Sequence, residues 1–124
     1  MSKKPDEDFI NINGLKLLTG FENLSRVRRY VYQYKIFIPA KKDSKDGRTY
    51  LFDRRCVYIR FKLLDCFTPF GIPIGKVRKY LNQVCGINDA KISNLLKTGK
   101  NEEEILVTKK QELEEKLNEV AAAM

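Results

Sequence analysis

Glycine and proline residues divide this 124-residue chain into short segments, and this division restricts its fold more than any other feature of the sequence. The breaks fall at Gly20, Pro39, Gly47, Pro69 with Gly71, Gly86 and Gly99. Glycine commonly ends helices, and proline interrupts both helices and central strands. We therefore expect several short elements packed around one core, which the 43% hydrophobic content of the chain is sufficient to supply.

The first two segments predict two short helices joined by a turn. The apolar stretch that begins at Phe9 leads into a first helix that Gly20 ends, and residues 22–25 supply turn formers and a candidate N-cap.

A helix over residues 26–34 then carries one apolar face at i, i+3, i+4 and i+7, formed by Val27, Tyr30, Val31 and Tyr34. Its other side carries Arg26, Arg28, Arg29, Tyr32 and Gln33. Three arginines without an acidic residue indicate a surface that contacts phosphate or base edges.

The next segment predicts a β-hairpin. Residues 35–40 and 48–52 are rich in β-branched and aromatic side chains, and the connecting residues contain the turn-forming pair Asp46-Gly47. The tip of this hairpin carries Lys41, Lys42, Lys45 and Arg48. Solvated turns are often lysine-rich, so the charge of the tip does not by itself identify a ligand.

The rest of the chain predicts helices. A third helix over residues 54–67 has Asp53 as its candidate N-cap, and a fourth begins around Pro73 and ends at Gly86. A short helix over residues 90–96, with Asn88 or Asp89 as its cap, and a helix rich in Glu and Lys after Glu102 complete the chain. The predicted fold class is therefore mainly α with a small β-hairpin.

Positive charge is concentrated in residues 26–62. This block has twelve Lys and Arg against three Asp, so it alone carries +9 in a chain whose total is +8. Residues 101–124 have three Lys and seven Glu and are acidic. A solvated surface without a charged partner would mix both signs, so the block favours a polyanion, nucleic acid first and an acidic membrane surface second. A generally basic composition explains the same numbers without a partner.

The sequence lacks the residues and motifs on which most enzymes depend. It has no His, which is the commonest general base and metal ligand, and no nucleophile-elbow or phosphate-binding glycine motif. Cys56, Cys66 and Cys85 have spacings that fit neither a disulfide framework nor a zinc-binding pair. We therefore expect buried cysteines, no enzymatic activity, and no metal or other cofactor.

The sequence also indicates the cellular location of the protein. No uncharged run is long enough to span a membrane, and residues 1–8 lack the apolar core of a signal peptide. We expect a soluble cytoplasmic protein, associated with the nucleoid and not with a membrane, whose residues 1–8 form a disordered polar tail.

Five segments resemble the DNA-binding domain of MerR-type transcription regulators. They are residues 17–21 at the end of the first helix, residues 27–30 in the recognition helix, residues 36–39 at the entry to the wing, residues 47–50 at its return, and residues 71–77 at the turn into the fourth helix. The resemblance covers residues 9–81 and implies a winged helix-turn-helix domain in the order helix, helix, hairpin, helix, helix. Residues 82–124 are then expected to be a helical extension that joins copies, as a homodimer or head to tail, or binds a partner.

The resemblance implies sequence-specific binding of double-stranded DNA and regulation of transcription. The side chains expected to contact bases and phosphates are Arg26, Arg28, Arg29 and Tyr32 on the helix and Lys41, Lys42, Lys45 and Arg48 on the wing. The turn between the first two helices is longer than in the family. Helical phase therefore assigns the family's recognition-helix arginine to Arg28, whereas the distance to Pro39 assigns it to Arg29.

Three alternative functions remain open from the sequence. Short relatives of the family include excisionases, so an architectural factor that bends DNA is the alternative within DNA binding. An RNA-binding protein would need exposed aromatic side chains on its sheet, for which the predicted strands offer Phe37, Tyr50 and Phe52. A protein-interaction adaptor would use the Glu-rich C-terminal helix.

Overall fold

Residues 8–123 are described by the computed structural model, so the predicted tail lies outside the described residues apart from Asp8. The regular elements are β1 (Phe9–Ile10), α1 (Ile12–Thr19), α2 (Leu24–Arg28), β2 (Lys41–Lys42), β3 (Tyr50–Asp53), α3 (Arg54–Leu63), α4 (Ile74–Cys85), α5 (Ala90–Lys97) and α6 (Glu102–Ala122). A π-helical turn over Arg29–Gln33 extends α2, and short 3-10 turns lie at Leu64–Cys66, Thr68–Phe70 and Ile87–Asp89. The protein is thus mainly helical with a small antiparallel sheet, as the sequence predicted.

Helix α1 begins at Ile12, later than the apolar stretch suggested, because Phe9 and Ile10 form strand β1. β1 pairs antiparallel with β3, with Phe9 opposite Asp53 and Ile10 opposite Phe52. The side chain of Asn11 then accepts a hydrogen bond from the Gly14 N–H at 3.0 Å and caps the helix. The sheet therefore has three strands, in the order β1-β3-β2, where the sequence predicted two.

Helix α2 begins after an asparagine N-cap and is continued at its C-terminal end by the π-helical turn. The Asn23 side chain accepts from the Arg26 N–H at 2.9 Å. After Arg28 the helix continues as a π turn, in which the Tyr34 N–H donates to the Arg29 carbonyl at 2.9 Å, five residues earlier. We call residues 24–33 the basic helix. Its predicted apolar face is confirmed, since Val27 and Val31 are buried and the half-buried rings of Tyr30 and Tyr34 pack edge to face.

The predicted strand over residues 35–40 is wrong. Lys35 has a left-handed backbone with φ 53°, which turns the chain back beneath the basic helix. Ile36 is fully buried there, and its N–H donates to the Tyr30 carbonyl at 2.8 Å instead of to a neighbouring strand. Ile36 and Phe37 therefore belong to the core. Hydrogen bonding to β3 begins only at Ala40, whose N–H donates to the Leu51 carbonyl at 2.9 Å, and Lys41 is the first residue paired with β3, opposite Leu51.

Helices α3 and α4 are close to their predicted positions. The Asp53 carboxylate accepts from the N–H groups of Arg55 and Cys56 and caps α3, as expected. Helix α3 ends at Leu63 rather than at residue 67, because short turns follow it up to Gly71, whose φ of 64° reverses the chain. The predicted end of α4 at Gly86 is confirmed.

The C-terminal helices share one core with the N-terminal half. Helices α3 and α6 pack together, and the Tyr58 hydroxyl donates to the Glu103 carboxylate at 2.7 Å. The buried C-terminal side chains include Val84, Cys85, Ile92, Ile105, Leu113 and Leu117. Ile92, Leu113 and Leu117 therefore pack within this chain and are not available to join copies, which is one role that the sequence suggested for residues 82–124.

A fully buried arginine connects three parts of this core. The Arg60 guanidinium pairs with the Asp89 carboxylate, donates to the Ile36 carbonyl at 3.2 Å and donates to Asn82 Oδ1 at 2.9 Å. Burial raises the pKa of Asp89, and the charge of Arg60 partly opposes that shift. Asp89 lies at the predicted cap position of α5, but its side chain makes no capping hydrogen bond because it faces Arg60.

The three cysteines are buried, as predicted. Burial raises the pKa of each thiol, and that of Cys85 rises to about 11. At neutral pH all three are therefore protonated core residues without nucleophilic character.

Candidate nucleic-acid interface

The eight side chains that the sequence assigned to DNA contact all lie at the surface. Tyr32 is 56% exposed, although it belongs to a helix that packs on the core. The other seven are also exposed: Arg26, Arg28, Arg29, Lys41, Lys42, Lys45 and Arg48. A polyanion can therefore reach every one of them.

Carboxylates do not neutralise these cations within the described part of the chain. The ion pairs found among residues 8–123 involve Arg54, Arg55, Arg60 and Lys109, and none of the seven candidate cations. Exposed cations without a carboxylate partner keep their full charge available to a ligand. They produce the positive potential that attracts phosphate.

One groove brings the basic helix and the hairpin together. Arg28 and Tyr32 line it from the helix, Arg48 and Tyr50 line it from the hairpin, and Phe52 and Ile12 lie at its base. Its volume is about 270 Å³, and no acidic side chain lines it. We call it the helix–hairpin groove. It combines two guanidinium groups with two phenol rings, which are groups that donate to phosphate and base-edge acceptors.

The pairing of the strands divides the hairpin lysines between the two faces of the sheet. Lys42 lies opposite Tyr50, so it shares the face of the helix–hairpin groove, and its ammonium lies 5.5 Å from the Tyr50 ring centre. Lys41 lies opposite Leu51 on the other face, where its ammonium lies 4.0 Å from the centre of the Phe9 ring. Lys45 also lies on that side and lines a groove with Phe9.

The three arginines of the basic helix also lie on different parts of the surface. Arg26 lies over the Phe21 ring, with its guanidinium carbon 4.8 Å from the ring centre, and lines a groove against α3 and α4. Arg29 is exposed but is not among the residues that line the helix–hairpin groove. Of the two positions that the sequence left open, Arg28 is the one that faces the hairpin.

Two aspartates hold the tip of the hairpin in a fixed turn. The Asp46 carboxylate accepts from the N–H groups of Arg48 and Thr49 and from the Thr49 hydroxyl, the last at 2.6 Å. These bonds, with the Thr49 hydroxyl first, lower the pKa of Asp46 to about 2. Asp43 accepts from the Lys45 N–H at 2.9 Å in the same way. The backbone that carries Arg48 is therefore fixed without a ligand.

Sequence reasoning missed the part that Tyr50 takes in this site. It assigned Tyr50 to a strand but did not name it for DNA contact. The structure places it in the lining of the helix–hairpin groove with Arg28 and Arg48, and beside Lys42. The available signal was the alternation of strand side chains, since Tyr50 and Phe52 share one face and Phe52 is buried.

Residues 8–123 contain neither a membrane-spanning helix nor a metal-binding cluster. No helix there has the length and apolar character needed to cross a membrane. No cluster of three or more His, Cys, Asp or Glu side chains among these residues is arranged to hold a metal ion.

Comparisons with known proteins identify no relative. No protein-family model matches the chain, and no curated protein and no solved structure is significantly similar to it. The resemblance to MerR-type regulators therefore rests on the residues quoted above.

Proposed function

We propose that this protein binds double-stranded DNA sequence-specifically through the helix–hairpin groove and regulates transcription as a short MerR-like protein. In this proposal the basic helix is the recognition helix of a winged helix-turn-helix, and the hairpin is its wing. The observation that carries the proposal is the meeting of Arg28 and Tyr32 with Arg48 along one groove without an acidic side chain.

The order of the elements supports this assignment. Two short helices, α1 and α2, precede the hairpin, and α3 and α4 follow it, as in the domain that the sequence resembles. The exposed side of the basic helix reaches the major groove in such domains, while the wing lies on the flanking backbone. On this basis Arg28 and Tyr32 contact bases and nearby phosphates, and Arg48 and Lys42 contact the flanking phosphates.

The exposure of the aromatic side chains favours duplex DNA over single-stranded RNA. Single-stranded RNA is commonly held by bases stacked on aromatic residues of an open sheet. Phe37 and Phe52 are buried here, so of the three aromatics that the predicted strands offered only Tyr50 remains exposed. A duplex presents phosphates along both of its grooves, so more of the exposed cations contact phosphate on a duplex than on a single strand.

Equilibrium binding of a duplex and of a single-stranded RNA of equal length, across a series of salt concentrations, tests the proposal. We expect tighter binding of the duplex and a log–log salt slope of about −2.7 or steeper, since three neutralised phosphates contribute about 0.9 each. Arg48→Gln should reduce the slope by about 0.9. Lys100→Gln, in the exposed loop between α5 and α6, is the matched control and should leave it unchanged.

A salt-independent interaction, or a preference for the RNA at every salt concentration, would contradict the proposal. A fluorophore pair at the ends of the same duplex separates regulation from architectural binding. A large change in end-to-end distance on any sequence would favour the excisionase-like alternative.

A further inference from the structure

A second groove lies beside the helix–hairpin groove and has a different composition. Its volume is about 520 Å³, and its lining is mostly apolar, with Val31, Phe37, Ile38 and Pro39 along one side and Ile87 at the rim. We call it the lateral groove. A volume of this size, with an apolar lining and a few polar groups, is typical of sites for small organic molecules.

Exposed apolar surface is concentrated at this groove. Within residues 8–123 five large hydrophobic side chains are strongly exposed, and three of them line it, namely Tyr32, Tyr50 and Ile87, whose exposed fractions are 56%, 40% and 75%. Single exposed apolar residues are common on protein surfaces, but a contiguous group of them marks a binding surface. The two tyrosine rings offer flat faces for an aromatic ligand.

The charged side chains that line the lateral groove are all positive. Lys35 and Arg78 line it, both exposed, and no acidic side chain lines it. Its remaining polar side chains include Asn82, whose Oδ1 accepts from the buried Arg60 at 2.9 Å. Because a guanidinium only donates, this bond leaves the Asn82 NH2 group as the donor for a ligand. The groove therefore provides cations and donors to a ligand that carries negative charge.

The backbone at this groove is left-handed in two places. Lys35 and Asn88 have φ of 53° and 55°, and both line the groove. Asparagine tolerates this conformation, whereas for lysine it costs free energy in the folded state, and such strained residues occur frequently at binding sites. The Arg60 network, which reaches the Ile36 and Gly86 carbonyls, holds both segments in place.

We propose that the lateral groove binds small aromatic carboxylates, with the ring against Tyr32, Tyr50 and Ile87 and the carboxylate at Arg78 and Lys35. A single negative charge fits the mostly apolar lining better than a phosphate dianion, because the desolvation of a dianion costs more. Tyr32 and Tyr50 line both grooves, so an occupied lateral groove alters the surface that faces DNA. This coupling, unlike the site itself, rests on the proposed function.

A titration of the full chain with naphthalene-2-carboxylate, followed by NMR of side-chain methyl and backbone amide groups, tests the site. We expect saturable shift changes centred on Val31, Ile38 and Ile87. The neutral naphthalene-2-carboxamide should bind about three- to fivefold more weakly, and Arg78→Gln should weaken the carboxylate by a similar factor. Lys79→Gln removes a cation from the next position of α4, outside the groove, and should have no effect.

The site is overturned if the shifts do not saturate, if they centre on another surface, or if carboxylate and carboxamide bind equally. Lys35→Asn provides a second charge-removing variant, because asparagine tolerates the left-handed backbone at that position. It should also weaken the carboxylate and leave the carboxamide unaffected.

A second titration, in which naphthalene-2-carboxylate is added to the complex with duplex DNA, tests the coupling. We expect weaker DNA binding as the groove fills, and a smaller decrease for Arg78→Gln at the same ligand concentration below saturation. If the chain binds no DNA but binds the carboxylate as described, the proposed function fails and the site stands. DNA affinity that is unchanged at saturation would overturn the coupling.

Discussion

Arg60 is the side chain whose removal should damage the fold most. It is fully buried, and its partners lie in the segment after the basic helix, in α4 and in the turn before α5. Arg60→Met leaves the buried Asp89 carboxylate without its counter-charge, which typically costs about 3–5 kcal/mol of the free energy of unfolding. Urea denaturation measures this loss.

Arg54→Met is the control for that experiment, because Arg54 is partly exposed and its ion pair with the Asp8 carboxylate is long, at 3.8 Å. We expect it to cost less than about 1 kcal/mol. A similar small cost for Arg60→Met would show that the buried network does not hold these segments together.

Asp46 should titrate far below an ordinary aspartate. Three hydrogen bonds from Thr49 and Arg48 lower its pKa in the folded chain from 3.8 to about 2. Because the folded pKa is the lower one, the turn is fully stabilised above about pH 4 and loses this stabilisation as the pH falls through 2. An NMR titration that follows the Asp46 carboxyl carbon and the Thr49 amide measures it, and a midpoint near 3.8 would contradict the turn described here.

At the scale of elements, the basic helix and the hairpin should contribute differently to DNA binding. Under the proposed function, Arg28→Gln should lose about 1–3 kcal/mol on the preferred duplex and relax the preference at one base pair. Lys42→Gln should weaken all duplexes alike, because a hairpin lysine contacts phosphates. Competition binding with duplexes that differ at single base pairs separates these outcomes.

Arg29→Gln is the matched variant for Arg28→Gln, since both arginines are exposed on the same helix and only Arg28 faces the hairpin. We expect the smaller loss for Arg29→Gln. If Arg29→Gln changes the base preference and Arg28→Gln does not, the assignment of the recognition-helix position is reversed.

The sequence predicted those elements whose signals are local. Gly20 and Gly86 end their helices, and Asp53 caps α3, because a cap or a left-handed residue depends only on nearby atoms. The segment at residues 35–40 was wrong because its apolar residues fit a strand or a buried loop equally well. Only the tertiary packing beneath the basic helix decides between the two. Strand β1, with two residues, was too short to have a pattern.

For the candidate site as well, the sequence predicted the features that depend on local signals and not those that depend on tertiary packing. Exposure of all eight predicted side chains could be derived from helical phase and from the polar tip of the hairpin. Their grouping could not, since it depends on strand register, which places Lys42 on the face of Tyr50 and Lys41 on the opposite face. The lateral groove was also beyond sequence reasoning, because Lys35 and Arg78 come from segments far apart in the chain.

At the scale of the whole molecule, the C-terminal helices should be required for folding. The sequence suggested that residues 9–81 fold as a domain and that residues 82–124 join copies. Removal of residues 82–124 takes away Asp89, the partner of Arg60, and buried side chains that include Ile105 and Leu113. Within the described part of the chain, residues 82–124 contain five buried leucines and isoleucines. Each typically contributes about 1.5–3 kcal/mol, so their combined loss is comparable to the whole stability of a domain of this size.

Circular dichroism and urea denaturation of a chain that ends at Leu81 test this expectation. We expect no cooperative unfolding transition from the shortened chain. A cooperative transition with helical signal would show instead that residues 82–124 only cover a domain that is stable without them.

Under the proposed function, the face formed by Arg28, Tyr32 and Arg48 reads a DNA sequence. Selection of bound duplexes from a random pool, carried out in parallel with the wild-type chain and with Arg28→Gln, tests it most directly. We expect a defined motif for the wild type and the same motif with one position relaxed for the variant. Selection that returns no motif from the wild-type chain, or an identical motif from both chains, would contradict it.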